Sequence, residues 1–288
     1  MFRKLVQVAA ALFLPPLSTF ALAGAPEFFN HSVEQAQPMG FQPLRGELFH
    51  VQGLALEPRR IWVTSVDQRR HRGFVHLFDR ASGRLLRRIE VTDGVRYHPG
   101  GLSLSGRSLW VPVAEMRPDS SAMLLEIDAD TLRIKRRIAV ADHLGCVAAR
   151  GDRLVAGNWD SRQLYLFDLR QGARFRRVPN PSATHYQDMK FVGSTLVASG
   201  NLGLWDGTVD WIDPVALQVT RSLQAGAIGA LKPIGRGGPL TGEGMAIEGR
   251  DLFLIAEDGP SRVLQFRLDA APIDQLALAG PRATTPQP

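Results

Sequence analysis

The sequence predicts a single all-β propeller, and three observations carry that expectation. A strand pattern recurs five times, with spacings of 48, 45, 42 and 56 residues between the anchors Gly53, Gly101, Cys146, Asp188 and Gly244. Each copy holds short runs of β-type residues divided by turn residues, with no helical period. The chain has 288 residues, 44% hydrophobic and 22% charged, which suits a packed domain and excludes a mostly disordered one.

The elements follow in order within each copy. The anchor strand comes first. A polar turn leads to a second strand, at 61–66, 109–114, 154–159, 196–201 and 252–257. Trp62 and Trp110 occupy matching second-strand positions and are expected in the core between blades. A third strand ends in Phe78-Asp79, Ile127-Asp128, Phe167-Asp168 or Ile212-Asp213, where the Asp side chain opens a turn by bonding the backbone ahead of it. An Arg-rich fourth strand follows at 85–91, 132–140, 173–178 and 217–223. Charges there, such as Arg87, Arg88, Arg136 and Arg176, protect an outer edge from pairing with another chain. The fifth copy supplies three strands, so an N-terminal strand at 41–48 is expected to complete it and close the ring. Five blades are favoured. Six is the alternative, if the N-terminal segment and 271–279 build another blade.

Charge and cysteine usage narrow the function. The net charge is +6, and 30 of the 34 basic residues are scattered Arg, which argues against a nucleic-acid surface. The single Cys146 rules out an intrachain disulfide and lies within an inner strand, where a small buried apolar role is expected. Arg3 and Lys4, an apolar run over 5–14, Pro15-Pro16 and Ala21-Leu-Ala23 have the order of a secretory signal. The domain plan is then a signal peptide over 1–23, a lead-in over 24–40, the propeller over 41–268 and a tail over 269–288, with some disorder expected in the tail. The expected product is a monomer, periplasmic or secreted, with no membrane span after cleavage.

Four of the seven histidines fall three residues before an anchor: His50, His98, His143 and His185, with Thr241 in the fifth copy. Inner strands line the channel of a propeller, so these side chains are expected as a ring at one mouth. Second strands end at the same face and carry Glu115, Asp160 and Glu257-Asp258. Gln52, Gln187 and Glu243 each stand one residue before an anchor. Imidazole with carboxylate behind it suits a divalent transition metal (Zn, Mn, Fe, Cu or Ni), with Glu243 as ligand or base. A metal held by ordinary histidines would be released as pH falls through about 6.5. Self-satisfied structural histidines are the alternative. Arg117, Arg162 and Arg262 in loops of that face, together with Gln52, Gln187, Glu115 and Asp160, are candidate contacts for a small anionic molecule or sugar acid. The Gly-rich link 226–244 enters the same face as a possible lid and lacks a phosphate-loop ending. There is no G-x-S-x-G, no H-E-x-x-H and no dinucleotide fingerprint.

The Phe/Ile-Asp turn before an Arg-rich strand resembles YVTN and WD-type repeats. The strings His50-Val-Gln-Gly53, Tyr97-His-Pro-Gly-Gly101, Gly157-Asn-Trp-Asp160, Tyr186-Gln-Asp188 and Glu257-Asp-Gly-Pro-Ser-Arg262 resemble an exported bacterial propeller family of unknown function. That resemblance covers about 45–268 and implies fold and export. The chain is more distantly similar to gluconolactonase-type propellers, which implies a channel cation held by Glu, Asn and Asp. Glu243, Asn158 and Asp188 match by type, making Glu243 and Asp188 the candidate catalytic groups and Asn158 a candidate substrate contact. Two function classes stay open: a metal-dependent hydrolase or lyase, and a non-catalytic ligand- or protein-binding propeller of the cell envelope.

Overall fold

The structure is a computed structural model and describes residues 32–228, 237–256 and 260–269. The signal segment, Glu257-Asp258, residues 229–236 of the Gly-rich link and the tail beyond 269 lie outside the described residues. Within them the strands form five blades.

The closing strand β1 (Ala36–Pro43) comes first in the chain and last in the ring. Blade 1 is β2 (His50–Leu56), β3 (Arg60–Asp67), β4 (Arg72–Asp79) and β5 (Leu85–Glu90), paired in that order. Blade 2 has a broken inner strand, β6 (His98–Pro99) and β7 (Ser103–Ser105), then β8 (Ser108–Ala114), β9 (Ala122–Asp128) and β10 (Ile134–Val140). Blade 3 is β11 (Leu144–Arg150), β12 (Arg153–Asn158), β13 (Gln163–Asp168) and β14 (Arg174–Pro179). Blade 4 is β15 (His185–Val192), β16 (Thr195–Asn201), β17 (Gly207–Asp213) and β18 (Gln218–Ala225). A small ladder, β19 (Ala227–Ile228) with β20 (Gly238–Pro239), precedes blade 5. That blade is β21 (Gly244–Glu248), β22 (Asp251–Ile255), β23 (Arg262–Leu268) and β1. All five anchors lie on innermost strands or, for Gly101, in the break between β6 and β7.

The ring closes as expected, but the closing strand starts at Ala36 rather than 41, so it begins inside the expected lead-in. Its partner is β23, with Phe41 opposite Leu264. The segment after Pro43 must cross from the outer edge of blade 5 to the inner edge of blade 1. On that path Leu44 N donates to Ser261 O and Arg45 N to Gly83 O, at 3.0 and 2.7 Å. Leu44 thus still follows the blade 5 register, and the chain passes to blade 1 at Arg45.

Local chemistry explains the turns. The Oδ1 of Asp128 accepts from Asp130 N and Thr131 N, and that of Asp213 accepts from Val215 N and Ala216 N. Asp79 and Asp168 repeat the device toward Ser82 N and Arg170 N. Packing then joins the blades. Five apolar clusters, one at each interface between neighbouring blades, hold the ring together. Trp62 sits in the cluster between blades 1 and 2, and Trp110 in the cluster between blades 2 and 3, both buried as expected. Cys146 is buried, and its thiol is pushed up to about 12 by burial, so it is not a nucleophile at neutral pH. No helix among the described residues is long and apolar enough to cross a membrane.

Candidate functional site

Three of the five anchors, Gly53, Gly101 and Gly244, are glycines because five inner strands crowd the axis. A Cβ on Gly53 would lie 2.8 Å from the Cα of Gly101. One on Gly101 would lie 2.4 Å from Gln187 O and 2.7 Å from the Oδ1 of Asp188. One on Gly100 would lie 1.9 Å from Gly145 O, where blades 2 and 3 join through Gly101 N to Gly145 O at 2.9 Å. The space left is filled by the carboxylate of Asp188. Its Oδ2 accepts from Leu54 N of blade 1 and Met245 N of blade 5, both at 3.0 Å. Its Oδ1 accepts from Met189 N at 2.9 Å and from Lys190 Nζ at 2.5 Å. Burial pushes the carboxyl up, and the ammonium and backbone donors oppose it. All four contacts come from donors, so Asp188 is ionised and ties three blades together. This corrects its expected place among the catalytic groups, since its oxygens are already occupied and sealed from solvent.

Above this plug the inner strands are bulged. The ladder shifts between Val51 and Gly53, between Leu144 and Cys146, and between Tyr186 and Asp188. Gln52, Gly145 and Gln187 therefore drop out of register, which re-aims the chain near the mouth. Gln52 Nε2 donates to the Oε2 of Glu243 at 3.1 Å, and both side chains are buried. Gln187 donates instead to His185 O at 3.4 Å.

His50, His98 and His185 start their inner strands and His143 immediately precedes β11, but the four do not form an even ring. His98 and His143 converge, with ring centroids 5.6 Å apart. His50 is near enough to act electrostatically on His98. His185 opens β15 opposite Asn201 and is half-buried. Thr241 holds the fifth position by donating to Gly200 O at 2.8 Å. Burial, reinforced by His143 and His50, holds the His98 imidazole down at about 3. Burial also lowers His143 to about 4, outweighing the opposing pull of nearby carbonyls and acids. Both rings are thus held neutral across the physiological range.

The surroundings of the two rings differ. His143 Nδ1 lies 3.2 Å from Arg117 O, which can only accept, so Nδ1 carries the proton and Nε2 the lone pair. His98 Nδ1 is enclosed and has no hydrogen-bond partner among the described residues. Trp159, 39% exposed, stands edge-on to His143 at 4.6 Å and 6.4 Å from His98. Asp142 accepts from His143 N and from the Tyr165 hydroxyl, at 2.8 and 2.6 Å, and so anchors the loop that carries His143. Neither Trp159 nor Asp142 has a place in the anchor register, so the repeat does not single them out. A local signal exists for Asp142: an acid immediately before an in-register His.

The other expected contacts are held locally. Arg117 pairs with Glu115 at 3.0 Å and Arg162 with Asp160 at 3.1 Å, each within its own loop. Arg70 does the same with Asp67 at 3.0 Å. Arg117 serves the histidines through its carbonyl rather than its charge. Asn158 accepts from Gln163 N at 3.0 Å and donates to Asp142, bracing a turn instead of facing a ligand. Arg262 lies over the Phe41 ring at 5.2 Å. The loop charges expected to recruit an anion are therefore largely balanced in place. Among the described residues no three His, Cys, Asp or Glu side chains stand close enough as placed to hold a metal ion.

Fold and site together define a five-bladed β-propeller with a plugged axis and a neutral imidazole pair at one mouth. The chain belongs to a family of unknown function, DUF6454, whose model matches residues 32–212. No curated protein matches it. Among solved structures it is similar to the glutaminyl cyclase of Myxococcus xanthus, at TM-score 0.60 and 16% identity over 81% of this chain and 96% of that one. A luciferin-regenerating enzyme matches at TM-score 0.49 and 10% identity, over 79% and 80% of the two chains. The WD40 domain of Neurospora crassa Pan2 matches at TM-score 0.38 and 12% identity, over 77% and 63%. At such identities the glutaminyl cyclase likeness is one of fold.

Proposed function

We propose that the histidine mouth binds a divalent transition metal and that the protein is an exported, metal-dependent hydrolase or lyase acting on a small molecule. The observation that carries this reading is the His98–His143 pair: two buried, neutral rings 5.6 Å between centroids, one with its tautomer set by a backbone carbonyl. A proton-donating second nitrogen on a carbonyl is the usual support of a ligating imidazole. His50 is the third ligand in this reading, turning toward His98 on binding. Glu243, oriented by Gln52, is the base that takes a proton from water or substrate. Because the loop arginines are paired, the substrate is recognised through the metal and Trp159 more than through free cations.

The test is titration of the purified chain with Zn2+ and Ni2+, read by calorimetry and by Trp159 fluorescence, beside a His98→Ala/His143→Ala variant. One equivalent should bind to wild type and none to the variant. No stoichiometric binding to wild type, or equal binding to both, would sink the metal reading.

A second reading has its own support: no three-ligand cluster is preformed among the described residues. It is metal-free acid–base chemistry at Glu243 on a glutaminyl group, the group that gives the Myxococcus xanthus glutaminyl cyclase its name. Ammonia release from a glutaminyl peptide by metal-free protein, lost in Glu243→Gln, is the result expected from it.

A further inference from the structure

The wedge between blades 3 and 4, on the face opposite the histidines, stands open. It encloses about 720 Å3, within the roughly 300–1,000 Å3 of small-molecule sites. Comparison with the wedge between blades 1 and 2 explains the opening. There Arg60, first residue of β3, donates to Ala129 O at 3.1 Å and pairs with Asp130 at 3.0 Å, tying the two blades. Arg153 holds the same place at the start of β12, and Pro214-Val215 hold the places of Ala129-Asp130 after the turn Asp. Valine stands where the acid would be. Val215 is 79% exposed. Arg153 acts on Asp168 only at a distance and has no ion pair among the described residues.

Two cations of the outer strand β14 also line this groove. Arg176 is the cross-strand partner of Leu166 and Arg174 that of Asp168, so both arginines lie on the sheet face turned toward blade 4. Neither has an ion pair among the described residues. The acids nearby are already engaged: Asp168 by Arg170 at 2.9 Å, and Asp213 by Val215 N and Ala216 N at 2.7 and 2.9 Å. The floor is apolar, formed by Val155, Leu166 and Phe191, and Arg150 covers Phe191 at 5.2 Å. Three guanidiniums without an ion-pair partner therefore rim a hydrocarbon-lined groove. A guanidinium fork matches a carboxylate, and an apolar floor favours a hydrocarbon body.

We propose that this groove binds a small amphipathic carboxylate, with the anionic head on Arg153, Arg174 and Arg176 and the apolar body along Leu166 and Phe191. The site is separate from the histidine mouth and stands whether or not that mouth binds metal.

Calorimetric titration with decanoate, against decanol as the uncharged control, tests it. Decanoate should bind saturably at one per chain, and decanol about tenfold or more weaker, as loss of one charge-assisted contact implies. Val215→Asp rebuilds the bridge seen between blades 1 and 2 and should cut decanoate affinity at least about tenfold. Arg176→Gln should weaken it while leaving the circular dichroism of the fold intact. Absence of saturable decanoate binding in the millimolar range, or equal affinity in wild type, Val215→Asp and Arg176→Gln, would overturn the proposal.

Discussion

Replacing Asp188 by alanine removes four acceptor contacts at the axis where the blades meet. Two of the donors, Leu54 N and Met245 N, belong to blades 1 and 5, and a third is the ammonium of Lys190 at 2.5 Å. Removing one partner of a buried ion pair costs about 3–5 kcal/mol, because the other charge is left uncompensated. Each orphaned buried N–H adds about 1–3 kcal/mol where water cannot reach it. The terms overlap once water enters the vacated space, so the expected loss for Asp188→Ala is about 4–6 kcal/mol. For a chain of this size that lowers Tm by about 10–20 °C. The assay is urea unfolding followed by circular dichroism and tryptophan fluorescence. The double variant Asp188→Ala/Lys190→Met removes the stranded ammonium and should recover about 2 kcal/mol, a coupling that a double-mutant cycle reads directly. A loss under about 1 kcal/mol in the single variant would refute the plug. So would a double variant no more stable than the single.

Two further outcomes follow from the same structure. His76, His98 and His143 are held at about 3, 3 and 4, each mainly by burial, against about 6.5 in an unfolded chain. Below about pH 6.5 the unfolded state binds protons that the folded state refuses, so stability is full above that pH and falls toward pH 4. The loss between about pH 7 and 5.5 should be about 4 kcal/mol, measured by urea unfolding across that range; a flat profile would mean the rings are charged in the fold. Separately, Gly100→Ala places a methyl 1.9 Å from Gly145 O and should prevent the chain from folding or shift blades 2 and 3 apart. Gly94→Ala meets no atom within 4 Å and carries only the strain of a positive φ, so it should cost about 1 kcal/mol. Equal stability of the two variants would contradict the crowded axis.

Much of the fold is legible in the sequence. The anchors, the second-strand tryptophans and the Asp that ends each third strand are local signals, set by strand period and turn chemistry over a few residues. Their fivefold recurrence then implies blades, and a fifth copy one strand short implies closure by the N-terminus. The closing strand begins five residues earlier than the pattern suggests, because the crossing of 44–49 from blade 5 to blade 1 leaves no mark in local patterning. The four histidines share one register, and that much is visible in the sequence.

What tertiary structure alone decides is which of them meet. His98 and His143 converge because the break at Gly100-Gly101 draws blade 2 onto blade 3, joining Gly101 to Gly145. Asp188 reads as a reactive carboxylate and is instead the axial plug, since the anchor glycines leave room for one side chain and three blades aim donors at it. The loop arginines Arg117 and Arg162 read as free and are paired, because each has an acid two residues before it on the same turn. The open wedge at Val215 becomes meaningful only when Arg153 is seen to face it from the neighbouring blade. Repeat register specifies where a residue sits in its own blade. Contacts between blades depend on how five such units crowd around one axis, and that is a property of the closed ring rather than of any one copy.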